Sequence, residues 1–351
     1  MNMPATRFQQ HEDLWRHYRS NLPRHLLGLS RYLQATLMHA LIEKLGYRDL
    51  RLSYEPFITL VGDRGARLTE LAGWLGISKQ AVNQTANQIE HAGYIARTPD
   101  PADGRAKVVV LTAAGRKLVN EGSALIGDVE QKCIDLLGKR KTTRLSKHLA
   151  ALYLGVDLPR PRVTPTKGLT PVMLGGLLPR IADYMMQRLM HLTDAYGHPH
   201  LKMSYAHVLT LIGPDGGRIQ QMARIQEVSK QAISTVASEL ELLGYIRRAA
   251  DPQDARRVLL QLTEEGWQLL AHSVTAVGSL EQEMALHLRD DGLTELKLIA
   301  AELYSTLHLE EEVFEPSHVP LTSDLQKLAS QLRSQLGRKD TAELARLLKQ
   351  Q

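Results

Sequence analysis

Apolar residues recur at helical spacing along most of the chain, and the polar residues between them punctuate it into one series of elements written twice. Leu26–Leu45 sets apolar side chains three and four apart and stops at Gly46; Leu177–Tyr196 does the same and stops at Gly197. Ser53 and Ser204 stand where N-caps are expected, opening second helices that run to Gly62 and Gly213. Thr69–Leu75 follows, with Gly76 as a turn, then a helix opened by Ser78 and closed at Gly93. The matching pair is Gln220–Gln226, then Ser229 to Gly244. Tyr94–Thr98 and Lys107–Leu111 read as strands around the turn-forming Pro99–Gly104. Thr112 and Thr263 then cap long helices, and two further helical segments end near Tyr153 and Tyr304.

The doubling is literal. Residues 46–153 reappear at 197–304 without a gap, at a constant offset of 151 positions. Identities fall on structural hinge points: Ser78/Ser229, Gly93/Gly244, Asp100/Asp251, Asp103/Asp254, Arg105/Arg256 and Gly115/Gly266. A period this long marks a duplicated domain rather than a solenoid repeat. The predicted division is a first unit over 1–157, a linker over 158–170, a second unit over 171–309 and a tail over 310–351. The linker, proline-punctuated and basic, is expected to be extended. The tail carries an apolar stripe at Leu325, Leu328, Leu332 and Leu336, and a capping-box spacing at Asp340 and Glu343.

Candidate chemistry lies on the helix after Ser78. Val82, Ala86 and Ile89 fall on one face, while Lys79, Gln80, Asn83, Gln84 and Asn87 fall on the other. Amides and a lysine are the groups that read base edges: Asn and Gln pair bidentately with adenine, and Lys meets guanine or phosphate. Ser78 leaves the first backbone N–H groups of its helix aimed outward, where a phosphate can bind. Ser229, Lys230, Gln231, Ser234, Thr235 and Ser238 occupy the equivalent face with shorter side chains, which should reach fewer base atoms. A solvated polar face is the bland alternative for one such helix. Two, each followed at fixed distance by a basic hairpin, favour nucleic acid. In those hairpins Arg97, Arg105 and Lys107 gather in the first copy, and Arg247, Arg248, Arg256 and Arg257 in the second. Arg105 and Arg256, at the hairpin tips, suit a narrow minor groove; a surface Asp103–Arg105 pair of little energetic weight is the alternative.

Composition narrows the class. Net charge is +5 with a sequence pI of about 9.2, compatible with a polyanionic partner. No apolar run reaches membrane-spanning length, and the N-terminal segment lacks the apolar middle of a signal peptide. The single cysteine, Cys133, excludes an internal disulfide and suits a cytoplasmic location. It lacks a resolving partner and reads as an inert core thiol rather than a redox sensor. His191, His198, His200 and His207, with Asp194, have no established zinc spacing and no counterpart in the first copy, so no metal is expected. Catalytic motifs are absent, and neither enzyme activity nor a cofactor is expected.

Each copy resembles the multiple-antibiotic-resistance regulator (MarR) family of transcription factors. The residues that carry the resemblance are Arg67-Leu68-Thr69-Glu70-Leu71-Ala72, Ser78-Lys79-Gln80-Ala81, Gly93-Tyr94-Ile95 and Asp100-Pro101-Ala102-Asp103-Gly104-Arg105-Ala106-Lys107 leading to Leu111-Thr112. The second copy departs where Gln220 and Gln221 replace Thr69 and Glu70, Glu227 replaces Gly76, and Ala255 replaces Gly104. The resemblance implies a mainly helical fold with small β wings: tandem winged helix-turn-helix domains closing into an intramolecular pseudo-dimer through a helical dimerisation region. It implies a repressor of double-stranded DNA with an imperfect palindromic operator, released by a small aromatic or phenolic effector; Trp15, Tyr32, Tyr54, Tyr184 and Tyr205, in or near the N-terminal helical regions of the copies, are the candidate lining, with plain core the commoner role for each. A ligand-sensing or protein-binding module that has lost DNA binding is the rival reading, and the tail offers a route to joining two chains.

Overall fold

The structure, a computed structural model, describes residues 5–100, 106–159, 162, 173–226, 228–251 and 254–309. Helix α1 (Ala5–Arg19) precedes the first copy, which comprises α2 (Leu22–His39), α3 (Tyr54–Val61), α4 (Leu68–Leu75), α5 (Lys79–His91), β1 (Ile95–Pro99), β2 (Lys107–Leu111), α6 (Ala113–Leu137) and α7 (Lys139–Gly155). The second copy repeats this as α8 (Leu174–Ala195), α9 (Met203–Leu211), β3 (Gly217–Arg218), α10 (Ile219–Ile225), α11 (Lys230–Leu242), β4 (Ile246–Asp251), β5 (Asp254–Leu262), α12 (Glu264–Ala285) and α13 (Gly292–Thr306). The tail beyond Leu309 lies outside the described residues.

Local chemistry accounts for most boundaries. Asn21 opens α2, its side chain accepting from the Arg24 N–H at 3.1 Å, with Pro23 in the first turn. The helix ends in a π-helical turn over Ala40–Lys44. Ser78 and Ser229 cap α5 and α11 through the N–H of Ala81 and Ala232, each at 3.1 Å, and Thr112 and Thr263 cap α6 and α12 at 3.0 Å. Two expected caps do not form. Ser53 precedes α3 with helical φ and ψ and no side-chain bond, and Ser204 lies inside α9, which starts at Met203 after Lys202. Tertiary packing of Tyr54 and Tyr205 sets those starts instead, since both rings are buried in the adjoining cores.

Three apolar cores hold the chain. One lies in each winged unit: Phe57, Leu71, Val82 and Ile95 in the first, and Val208, Met222, Ile233 and Leu260 in the second. The third belongs to both copies at once. It joins Leu26 and Leu29 of α2 to Leu177 and Ile181 of α8, and Leu145, Leu149 and Leu152 of α7 to Leu296, Ile299 and Leu303 of α13. Helix α2 packs on α13 of the other copy as α8 packs on α7, so the two copies are related by an approximate twofold within one chain. Close approach is enforced at Gly28, where an added Cβ would overlap the ring of Tyr304. Helix α1 lies across the second copy, with His11 stacked on Trp267 at 4.0 Å and Leu14 and Trp15 on that unit's core.

Because Leu145 is fully buried in the joint core, Leu145→Ala should cost about 2–5 kcal/mol. Denaturant unfolding, followed separately in chains keeping only Trp74 or only Trp267, should show both winged units losing stability together. A shift confined to one tryptophan would contradict a joint core.

Candidate nucleic-acid interface

Each winged unit presents one helix outward. In the first, Gly76 takes a left-handed conformation (φ +64°) that turns the chain from α4 into α5. Val82, Ala86 and Ile89 then bury one side of α5, and Ser78, Lys79, Gln80, Asn83, Gln84 and Asn87 are all exposed on the other. In the second, Ile233, Ala237 and Leu240 anchor α11 and leave Ser229, Lys230, Gln231, Thr235 and Ser238 exposed, with Ser234 half-buried. The twelve positions expected on the reading faces thus stand on two helix faces, and eleven of them are exposed.

The structure adds a clamp between this helix and the hairpin. Arg97 of β1 reaches back to α5: its Nη1 pairs with Glu90, and its Nη2 donates to Asn83 Oδ1 at 3.1 Å and Asn87 Oδ1 at 2.7 Å. Arg97 is therefore a brace rather than an outward wing cation, because its guanidinium is committed to α5. The asparagine oxygens are engaged too, which leaves their amide N–H groups facing out. The pair of bonds expected to adenine would require sharing Oδ1 with Arg97. Arg248, 151 positions on, repeats the brace to Glu241, to Ser238 Oγ at 3.0 Å and to the Ser234 carbonyl at 3.4 Å. Arg247, its neighbour in the basic cluster, is exposed and donates to Gln261 Oε1 at 3.0 Å. The missed signal was the recurrence of Glu90/Glu241 and Arg97/Arg248 at the same offset.

A second anchor sits at the base of each wing. Arg67, just before α4, holds the buried Asp100 carboxylate with Nε at 2.6 Å and Nη2 at 2.5 Å. Arg218 holds Asp251 with Nε at 2.5 Å and Nη2 at 3.1 Å. The strands pair antiparallel from Ile95↔Leu111 to Pro99↔Lys107, with Lys107 exposed at the far end. Arg105 lies outside the described residues, as do the side chains of Arg256 and Arg257.

The two faces differ in chemistry. On α11 the hydroxyls fold back onto their own helix, Thr235 Oγ1 donating to the Gln231 carbonyl at 3.0 Å and Ser238 Oγ to the Ser234 carbonyl at 2.9 Å. Such back-bonding spends the donor and shortens the reach. Between winged unit and long helix the copies differ again. Tyr47 donates to Glu121 at 2.5 Å in the first, whereas His198 contacts His272 at 2.8 Å and Tyr245 at 3.0 Å in the second.

Cavities occupy equivalent places between the joint helices and each winged unit. The first copy's, about 200 Å³, is lined by Leu37, Leu41, Ile58, Leu118 and the Glu55–Arg180 ion pair. The second copy's, about 110 Å³, is lined by Tyr18, Leu189, Tyr205, Arg24, Arg31 and His207, with no carboxylate among the described lining residues. Arg31 bonds His207, whose pKa is lowered to about 4 by burial and by the two arginines. Of the four tyrosines expected near an effector, Tyr205 lines this cavity. Tyr54 is buried in the first winged core, Tyr184 packs on the joint core, and Tyr32 lies beside Cys133 and Lys132. Burial pushes the Cys133 thiol up to about 11, consistent with an unreactive core group.

A short helix, a turn, an outward polar helix and a braced hairpin define a winged helix-turn-helix, here present twice, with the turn made at Gly76 in the first copy. The MarR family model matches the chain at residues 58–106 and again at 201–257, so two MarR-type winged helix-turn-helix domains stand in tandem in this chain. A Bacillus subtilis protein described as the uncharacterised HTH-type transcriptional regulator YdcH is 33% identical over 63 residues; the match covers 18% of this chain and 43% of that protein, so the chain spans less than half its length. Solved structures to which parts of the chain are similar include YusO of Bacillus subtilis (19% identity, 36% of this chain and 87% of that one, TM-score 0.31). CouR of Rhodococcus jostii, bound to p-coumaroyl-CoA, is 26% identical over 30% of this chain and 73% of its own (TM-score 0.27). A mutant of S. aureus MepR bound to an oligodeoxyribonucleotide is 22% identical over 36% and 92% (TM-score 0.29). No helix of the described residues is long and apolar enough to cross a membrane.

Asp251→Ala should loosen the second wing without unseating α11. Amide exchange should quicken along β4 and β5 and stay unchanged at Ile233 and Leu240; equal protection in both proteins would contradict the anchor. Acid should also weaken the fold. Burial favours neutral His25, His198 and His207, the first and last down to about 4. Unfolded imidazoles protonate below about 6.5, so their contribution is complete above that pH and is lost on descent toward the folded values. The melting temperature should fall from pH 7.5 to 5, and less so in His207→Gln; an equal fall in both would rule out His207.

Proposed function

We infer that this chain is a DNA-binding transcriptional regulator of the repressor type, which grips an imperfect palindromic operator as a single-chain pseudo-dimer. The observation that carries the reading is the pair of outward helices, α5 and α11, each braced to its own hairpin and both borne on one joint helical core. On this reading Lys79, Gln80, Asn83, Gln84 and Asn87 meet one half-site in the major groove. Ser229, Lys230, Gln231, Ser234, Thr235 and Ser238 meet the other more weakly. Lys107, Arg105, Arg247, Arg256 and Arg257 follow the adjacent backbone or minor groove. Half-site centres would lie about 10 base pairs apart. The oligodeoxyribonucleotide bound to the MepR mutant supports DNA as partner, and p-coumaroyl-CoA on CouR supports a small-molecule effector. The carboxylate-free cavity around Arg24, Arg31 and His207 suits an acidic effector, which would release the DNA. The single cysteine and the absence of a spanning helix among the described residues fit action in the cytoplasm.

One feature favours a second reading. The back-bonded hydroxyls of α11 leave the second copy fewer outward donors, as in a module whose second half senses ligand rather than DNA.

Selection of binding sites from random duplexes tests both. The intact chain should enrich two unequal half-sites. Asn83→Ala should relax preference at one position of the stronger half, costing about 1–3 kcal/mol. Lys79→Ala should weaken all sequences alike and reduce the salt slope by roughly one. Enrichment of a lone half-site favours the second reading, and no enrichment at all removes DNA binding.

A further inference from the structure

Helices α7 and α13 are the same element in the two copies, and they cross antiparallel. Lys141 Nζ pairs with both oxygens of Glu302 at 2.6 and 2.7 Å, Arg144 Nε with Glu295 Oε1 at 2.5 Å, and His148 Nε2 with Glu295 Oε2 at 2.7 Å. At the other end Gly155 lies against the ring of His287. Under the offset of 151, Glu295 is the counterpart of Arg144. The pair therefore straddles the local twofold, and each residue faces its own equivalent.

A residue on a twofold axis meets itself in a symmetric dimer. First copy on first copy would set Arg144 against Arg144, with His148 beside it. Second on second would set Glu295 against Glu295. The sign reversal continues outward, where Lys139 and Arg140 stand in place of Asp290 and Asp291. Much of the apolar seam carries no such distinction, although Leu149 is matched by Ala300 and Gly28 by Pro179. Leu145, Leu152 and Tyr153 are matched by the identical Leu296, Leu303 and Tyr304, all buried, and would pack against either kind of partner. A duplicated chain with a permissive seam is open to exchange, since two chains can pair like half with like half at equal burial.

We propose that the α7–α13 crossing is charge-coded for unlike pairing: it accepts the other copy and refuses the same copy of a second chain. The linker adds high effective concentration to the correct closure, and the charges add a penalty to the wrong one. This holds whether or not α5 and α11 read DNA.

The test mixes two populations of the full chain, one carrying a donor dye and one an acceptor, unfolded together and refolded by dilution. Exchanged dimers appear as energy transfer at doubled mass in light scattering; the tail is common to every variant, so the wild type sets the background. Glu295→Arg and Arg144→Glu each give both faces one sign and erase the distinction. Each should raise the exchanged fraction about five-fold, the scale of one exposed charge contrast. R144E/E295R restores opposite signs and should return the fraction to the wild-type level. Single variants that stay at the wild-type level, or a double variant that exchanges as they do, overturn the proposal. If the single variants fail to regain helicity, the wild type refolded in low salt and in about 1 M salt decides. Screening should raise its exchanged fraction, and an unchanged fraction overturns the proposal.

Discussion

Everything else in this molecule depends on an apolar core that neither copy can complete alone. The winged units have interiors of their own, but α2, α7, α8 and α13 find their buried partners across the local twofold. Leu26 and Leu29 lie in one buried cluster with Leu177 and Ile181 of α8 and Leu303 of α13. The hydrophobic effect is non-directional, yet here it acquires direction. Leucine rows on antiparallel helices mesh in few ways, and Gly28 admits the Tyr304 ring at one crossing. The placement of α5 relative to α11 follows from that packing.

The second level of order is polar and local. Arg97–Glu90 and Arg248–Glu241 are partly buried pairs whose partners are set by position. Each ties the first strand of a wing to the outward helix, which makes helix and hairpin one rigid surface. The Arg67–Asp100 and Arg218–Asp251 pairs do the same at the other end of the strand, where a buried carboxylate would be costly without its cation. Four positions, repeated at one offset, thus hold a surface whose own side chains diverge freely between copies.

What could be read from sequence follows the range of the forces involved. The caps at Ser78, Ser229, Thr112 and Thr263 and the turn at Gly76 are decided by bonds spanning three or four residues, and each is where the pattern placed it. The inward faces of α5 and α11 are decided by period alone, and they too were legible. Ser53 and Ser204 misled because burial of Tyr54 and Tyr205, not a cap, sets where α3 and α9 begin. The bracing role of Arg97 was hidden because Glu90 and Asn87 meet it only after the chain has turned at Gly93 from α5 into β1. Tyr54 illustrates the same limit, since an aromatic near a groove and one sealed in a core look alike in one dimension. The departure of Ala255 from Gly104 falls on a segment whose side chains lie outside the described residues.

Fusion into one chain changes what divergence can do. In a symmetric dimer every substitution appears twice, so a groove altered for a ligand is altered on both sides. Here each copy varies alone. One groove carries the Glu55–Arg180 pair and the other Arg24 and Arg31 beside a neutral His207; winged unit meets long helix through Tyr47–Glu121 in one copy and His198–His272 in the other. Both arginines come from α2 of the first copy, although the groove they line belongs to the second winged unit. An event in that groove therefore acts on a helix that also packs against the first copy's interior. Coupling between sites requires an element whose equilibrium both can bias, and α2 is in contact with both. The duplication thus supplies asymmetry while the joint core keeps the two halves answerable to one another.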